Sequence, residues 1–158
     1  KISERRQLLE IGKSKMIKTG DDLAIVAIGR GVSVGREVIR IMKSKGIKVS
    51  LLDARFAKPL DKVSITALAR KCYRLVSIED NCLKGGFGSG LLELLSAASI
   101  PAEVLRVGIP DEFIEHGKTN LLFDYLNMDA ESVVERIIAK WPDITNGSKL
   151  ELLKFGEN

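Results

Sequence analysis

An α/β fold, with a mostly parallel sheet and helices on both faces, is what this 158-residue chain predicts. Three observations carry that prediction. Short runs that are apolar throughout recur along the chain, as strands buried on both faces require. Each is followed by a segment whose apolar residues repeat at helical spacing. The two patterns alternate, and strands separated by helices imply right-handed crossovers.

The elements follow in order. SKMIKTGDD (14–22) has the character of a short edge strand turning at Gly20, and LAIVAIG (23–29) is the first buried strand. A helix follows from Ser33 as N-cap, with Val34, Val38, Ile41 and Met42 on one stripe, and Gly46 stops it. IKVSLLD (47–53) is the next strand. The loop ARFAKPL leads to Asp61, an N-cap for a helix through Cys72 on which Ile65, Leu68 and Cys72 align. YRLVSIED (73–80) is a strand, LKGGFGSG (83–90) a loop, and 89–98 a helix with Leu91, Leu94, Leu95 and Ala98 inward. AEVLRVGI (102–109) is the last strand. Two closing helices come from 118–127 and 129–141, the latter capped by Asp129, with Val134, Ile137, Ile138 and Trp141 on one face and Pro142 ending it. Residues 1–22 form a lead-in and 23–142 the domain. Residues 143–158 make a loosely held tail with room for a short helix near 150–155.

Composition narrows the functional classes. The chain is 45% hydrophobic and 29% charged, with no run long enough to span a bilayer and an N-terminus too polar for a signal peptide. It opens on Lys1, so a processed chain or a piece of something longer is expected. Cys72 and Cys82 have neither metal-ligand spacing nor the pattern of a disulfide framework, which fits a reducing cytoplasm. The net charge of +4 is spread without aromatic interleaving, so a solvated surface is favoured over nucleic-acid binding.

In such folds ligands approach the carboxyl ends of the strands. Three loops fall there: 30–35, 54–61 and 81–90. Gly29, Gly31 and Gly35, followed by Asp53, mimic a dinucleotide fingerprint, but the spacing is G-x-G-x-x-x-G, and an acid closing a strand is also a common turn former. LKGGFGSG offers either a phosphate cradle at a helix N-terminus or a tight turn with positive φ and Ser89 as N-cap. It lacks the Lys-Ser/Thr ending of a P-loop. Lys84, ahead of Gly85, Gly86 and Gly88, is placed to meet an anion. His116 is the single histidine, beside Glu115 and Gly117, and reads as a hydrogen-bonded surface or turn residue. Arg55 and Lys58 flank Asp53 and suit an anion or a partner surface. No catalytic constellation assembles from these residues.

Four segments together resemble one family. DARFAKPLD (53–61), LVSIEDNCLKGGFGSGLLE (75–93), VGIPDEFIEHG (107–117) and NMDAESVVERI (127–137) are similar to the C-terminal domain of the 1-deoxy-D-xylulose-5-phosphate synthase family, within the transketolase-like, thiamine diphosphate-dependent group. IGKSKMIKTG (11–20) resembles the segment leading into it, so the resemblance runs from Ile11 to Trp141. The glycine loop alone also fits transketolase and the 2-oxoacid dehydrogenase beta subunit. Asp80 stands where a second glutamate is usual, and Ala57 where valine is.

The resemblance implies a mixed, five-stranded sheet with the early strand antiparallel at or near the edge. It implies no catalytic, cofactor-binding or metal-binding residue here, because thiamine diphosphate and Mg²⁺ belong to the N-terminal and middle domains of such enzymes. The implied work is packing against those domains, shaping the active-site entrance and contributing to a homodimer. The contacts it points to, interdomain or anionic, are Asp53, Arg55, Asp80, Asn81, Gly85, Gly86, Gly88, Ser89 and His116. A phosphate-binding regulatory module and a separately encoded subunit stand as rivals.

Overall fold

The computed structural model describes residues 8–146. Its elements run β1 (Lys15–Lys18), β2 (Leu23–Ala27), α1 (Gly31–Ser44), β3 (Val49–Asp53), α2 (Lys62–Cys72), β4 (Arg74–Cys82), α3 (Phe87–Ala97), β5 (Glu103–Ile109), α4 (Thr119–Tyr125), α5 (Ala130–Lys140) and a closing 3₁₀ turn, Pro142–Asn146. The helix expected near 150–155 lies outside the described residues.

Five strands form one mixed sheet in the order β1-β3-β2-β4-β5. β2 pairs in parallel with both β3 and β4, and β4 with β5; β1 alone is antiparallel, on the outer edge of β3. The expected mixed sheet is therefore present, with the early strand antiparallel at its edge.

Period-2 alternation splits the core into two. Leu23, Ile25 and Ala27 pack on Val38 and Met42 of α1 and on Val133, Val134 and Ile137 of α5. Ala24 and Val26 face the other way, onto Ile65 and Leu68 of α2 and Leu91 and Leu95 of α3. Both faces of the central strand β2 are covered by helices, which makes the three layers. Trp141 and Ile144 extend the first core past the end of α5.

Two helix starts differ from expectation. α1 begins at Gly31 with Arg30 at the N-cap, so Ser33 lies in its first turn. Gly31 sets that start, because a Cβ there would lie 2.5 Å from the Ile78 carbonyl oxygen. α3 begins at Phe87 with Gly86 at the N-cap, so Ser89 caps nothing. Asp61 and Asp129 do cap α2 and α5, accepting from the backbone N–H groups of Ser64 and Ser132.

Candidate functional site

The chain leaves β2 toward α1 on one face and β4 toward α3 on the other, so the loops after these neighbouring strands part company. This is the switch point at which open α/β sheets form a crevice. Ala27 and Ile78 pair across it, which brings Gly29 level with Asp80 two residues later. Gly29 has φ +59, and a Cβ there would lie 2.5 Å from Asp80 Oδ1. The Arg30 guanidinium reaches Asp80 at 4.0 Å, with Arg30 largely and Asp80 partly open to water. A further ion pair, Lys84 to Asp111 at 3.0 Å, joins the loops after β4 and β5. Lys84 thus has a carboxylate partner within the chain.

The glycine loop closes on itself. Glu79, fully buried at the end of the apolar run of β4, accepts the Phe87 N–H on Oε2 at 2.6 Å and the Gly88 N–H on Oε1 at 2.8 Å. These are N-terminal donors of α3, the groups a bound phosphate would use. The chain's own carboxylate takes that place, and the loop does not fit the cradle reading. Gly86 and Gly88 serve this closure. A Cβ on Gly86 would collide with the Cys82 carbonyl and the Glu79 carboxylate, and one on Gly88 would lie 2.6 Å from Ser77 Oγ. Only Gly85 needs its residue type for conformation, with φ +71 and open space around it. Ser89 is turned inward too: its hydroxyl donates to the Leu83 carbonyl and accepts from Arg106, whose guanidinium also donates to Leu83.

Asp53 Oδ1 accepts the Arg55 N–H at 3.0 Å and holds Arg55 at φ 58, a left-handed conformation that such a local bond supports. Asp53 is therefore a turn former. Gly35, last of the would-be fingerprint, seats α1 on the sheet: a Cβ would lie 2.8 Å from Leu51 Cδ1. Asn81 is exposed near the end of β4, and His116 is exposed in the segment after β5. Among the described residues no group of three His, Cys, Asp or Glu side chains could hold a metal ion, and both cysteines are free thiols.

Glu79 is the residue sequence reasoning passed over. Its signal was an acid within an apolar strand, eight residues ahead of a helix that starts on glycine rather than on a capping side chain. A buried carboxylate needs donors and an uncapped helix needs acceptors, and each supplies the other.

The lower end of the sheet is simply packed. Arg74 lies over Trp141 and donates to Asp143 at 2.6 Å, and the indole N–H of Trp141 donates to Glu103. Chemistry-bearing loops gather at the opposite end, where the lead-in also enters: Ser14 bonds Asp61, and a Cβ on Gly12 would lie 2.9 Å from Pro59. The same loops and lead-in carry exposed apolar side chains, Leu8, Leu9, Ile11 and Phe113.

A doubly wound α/β/α domain with an ion-paired strand-end face and a self-closed glycine turn is the class these features define. Comparison with known proteins places it further: the profile described as "Transketolase, C-terminal domain" matches residues 12–133, and the chain belongs to that family. Among curated proteins it is 52% identical over 159 residues to the 1-deoxy-D-xylulose-5-phosphate synthase of Syntrophomonas wolfei, covering 100% of this chain and 25% of that protein. It is 38% identical over 132 residues to the synthase of Heliobacterium modesticaldum, covering 84% of this chain and 20% of that one. The chain thus spans a quarter or less of the length of these relatives. Among solved structures, one described as "Split gene transketolase, inactive beta4 tetramer" aligns at TM-score 0.77 and 29% identity, over 83% of this chain and 43% of that one. A Pichia stipitis transketolase aligns at TM-score 0.61 and 20% identity, over 87% of this chain and 19% of that one, and shares the fold.

Proposed function

We propose that this chain is the C-terminal domain of a thiamine diphosphate-dependent 1-deoxy-D-xylulose-5-phosphate synthase, bounded by the lead-in 1–22 and the tail 143–158. The observation that carries the reading is 52% identity along the whole chain to a synthase four times its length. Such an enzyme joins pyruvate, decarboxylated on the cofactor, to glyceraldehyde 3-phosphate, and its product feeds isoprenoid, thiamine and pyridoxal synthesis. The cofactor's diphosphate and Mg²⁺ do not fit the residues here. The N–H groups at the start of α3 are taken by Glu79, and the described residues bring no trio of metal-ligating side chains together.

The domain's part is to dock through its strand-end face on the thiamine-binding domains and, with them, to form a cytoplasmic homodimer. Arg30, Asp80, Asn81, Gly85 and His116 are exposed for that contact, with the Asp53–Arg55 turn half-buried beside them. Gly86, Gly88 and Ser89 act behind them by setting the shape of the loop. The split-gene relative favours a second arrangement, in which the domain belongs to a separately encoded subunit.

The test is an assay with pyruvate, glyceraldehyde 3-phosphate, thiamine diphosphate and Mg²⁺. The 158-residue chain alone forms no deoxyxylulose phosphate, and the full-length polypeptide does. Turnover by the chain alone, or an inert full-length polypeptide, overturns the assignment.

A further inference from the structure

The edge strand β1 has little to hold it by its own side chains. It is four residues long, its pairing with β3 is broken by a bulge between Met16 and Lys18, and three of its four residues are exposed. Short edge strands of this kind bury too little apolar surface to stay paired unaided. One residue ahead of it, Ser14 is tied across 47 positions of sequence to Asp61. The Ser14 N–H and hydroxyl both donate to Asp61 Oδ2, at 3.0 and 2.7 Å. Oδ2 also accepts the Ser64 hydroxyl at 2.9 Å, whereas Oδ1 accepts the Ser64 N–H at 3.1 Å. Asp61 is buried and Ser14 half-buried, so these bonds are partly shielded from competing water.

We propose that Asp61 is a two-sided fastener: Oδ1 caps α2, and Oδ2 clamps the entering polypeptide at Ser14, so that one carboxylate sets the direction from which the chain joins the sheet. The helix cap alone does not require this arrangement, since a cap needs one acceptor for the N–H two or three residues on. Asp61 faces two segments at once. The segment it clamps joins the strand-end face, where the remainder of a longer polypeptide would approach. That consequence rests on the assignment above, but the clamp itself does not, because it is tested on this chain.

Asp61→Asn separates the two jobs. Asparagine is an accomplished N-cap, yet it has a single acceptor oxygen and turns an amide N–H₂ toward the remaining donors. Amide hydrogen exchange in the 158-residue chain reads the result. In Asp61→Asn the amides of residues 14–18 exchange about tenfold faster while those of the core strands β2, β4 and β5 stay within about twofold. Ser64→Ala removes a helix-side hydroxyl and leaves residues 14–18 at the parent rate. If Asp61→Asn does not fold, Ser14→Ala takes its place: it removes one of the two clamping bonds and quickens the same amides by about threefold. The clamp is refuted if Asp61→Asn folds and residues 14–18 keep the parent rate, or if the whole sheet quickens with them. It is refuted equally if Ser64→Ala frees the lead-in as much as Asp61→Asn, or if the fallback Ser14→Ala leaves these amides unchanged.

Discussion

Glu79 and Phe87 meet as a buried carboxylate and the first N–H of a helix, 2.6 Å apart, and that contact decides what the glycine loop is. The helix dipole and the free N–H groups at the start of α3 favour an anion. The anion is a side chain of the preceding strand. Glu79→Ala removes it and leaves the Phe87 and Gly88 N–H groups without acceptors. Chemical denaturation should register a loss of about 3 kcal/mol. A loss below about 1 kcal/mol would mean that water replaces the carboxylate freely.

Neighbouring glycines in this loop respond to different constraints. Gly86 has ordinary φ but no room, since an added Cβ meets the Cys82 carbonyl and Glu79. Gly85 has room but φ +71. Gly85→Ala should cost about 1–2 kcal/mol, the penalty of a left-handed L-residue. Gly86→Ala should cost more, because backbone has to move, and Gly86→Val more again. Urea midpoints in the order Gly85→Ala below Gly86→Ala would contradict the packing described.

Acid should loosen the domain through Asp61. Burial raises its carboxyl pKa, but the bonds from Ser14 and Ser64 outweigh burial and hold it well below the usual carboxylate range. A depressed folded-state pKa contributes stability that is complete above the unfolded value of ~3.9 and lost as pH falls through the folded value. The stability gap between the parent and Asp61→Asn, from urea titrations at several pH values, should be widest near neutrality and shrink as pH drops below about 4. A gap that widens in acid would reverse the sign.

Trp141 closes the lower end of the domain, buried and donating its N–H to Glu103. Trp141→Phe keeps most of the packing and loses the donor, at about 1–2 kcal/mol. Trp141→Ala also opens a cavity beside α5 and should cost about 3–5 kcal/mol. As this is the chain's single tryptophan, circular dichroism is the readout for both. Equal costs would show that the hydrogen bond, and not the ring, anchors the end.

The docking reading makes a prediction of opposite kind. Phe113 is fully exposed in the loop after β5, so Phe113→Ser should leave the stability of this chain within about 0.5 kcal/mol. In the full-length enzyme the same change should lower kcat/KM for the condensation. An unchanged kcat/KM would remove this loop from the docking surface.

Strand–helix alternation, the two-sided burial of 23–27, and the Asp61 and Asp129 caps could all be read from residue order, because hydrophobic period and capping chemistry act within a few positions. The edge character of β1 was legible in 14–22, but its antiparallel sense came from family resemblance. At 83–90 the chain set up a choice, glycines before a helix with an anion wanted at its start, without supplying the answer. That answer lay in Glu79, whose partners are eight and nine residues away, just as the second partner of Asp61 is 47 residues back. Local periodicity determined the elements of this protein. Only the tertiary structure decided which carboxylate meets which N–H, because a buried charge finds its donors wherever the packed chain brings them, and sequence spacing does not encode that distance.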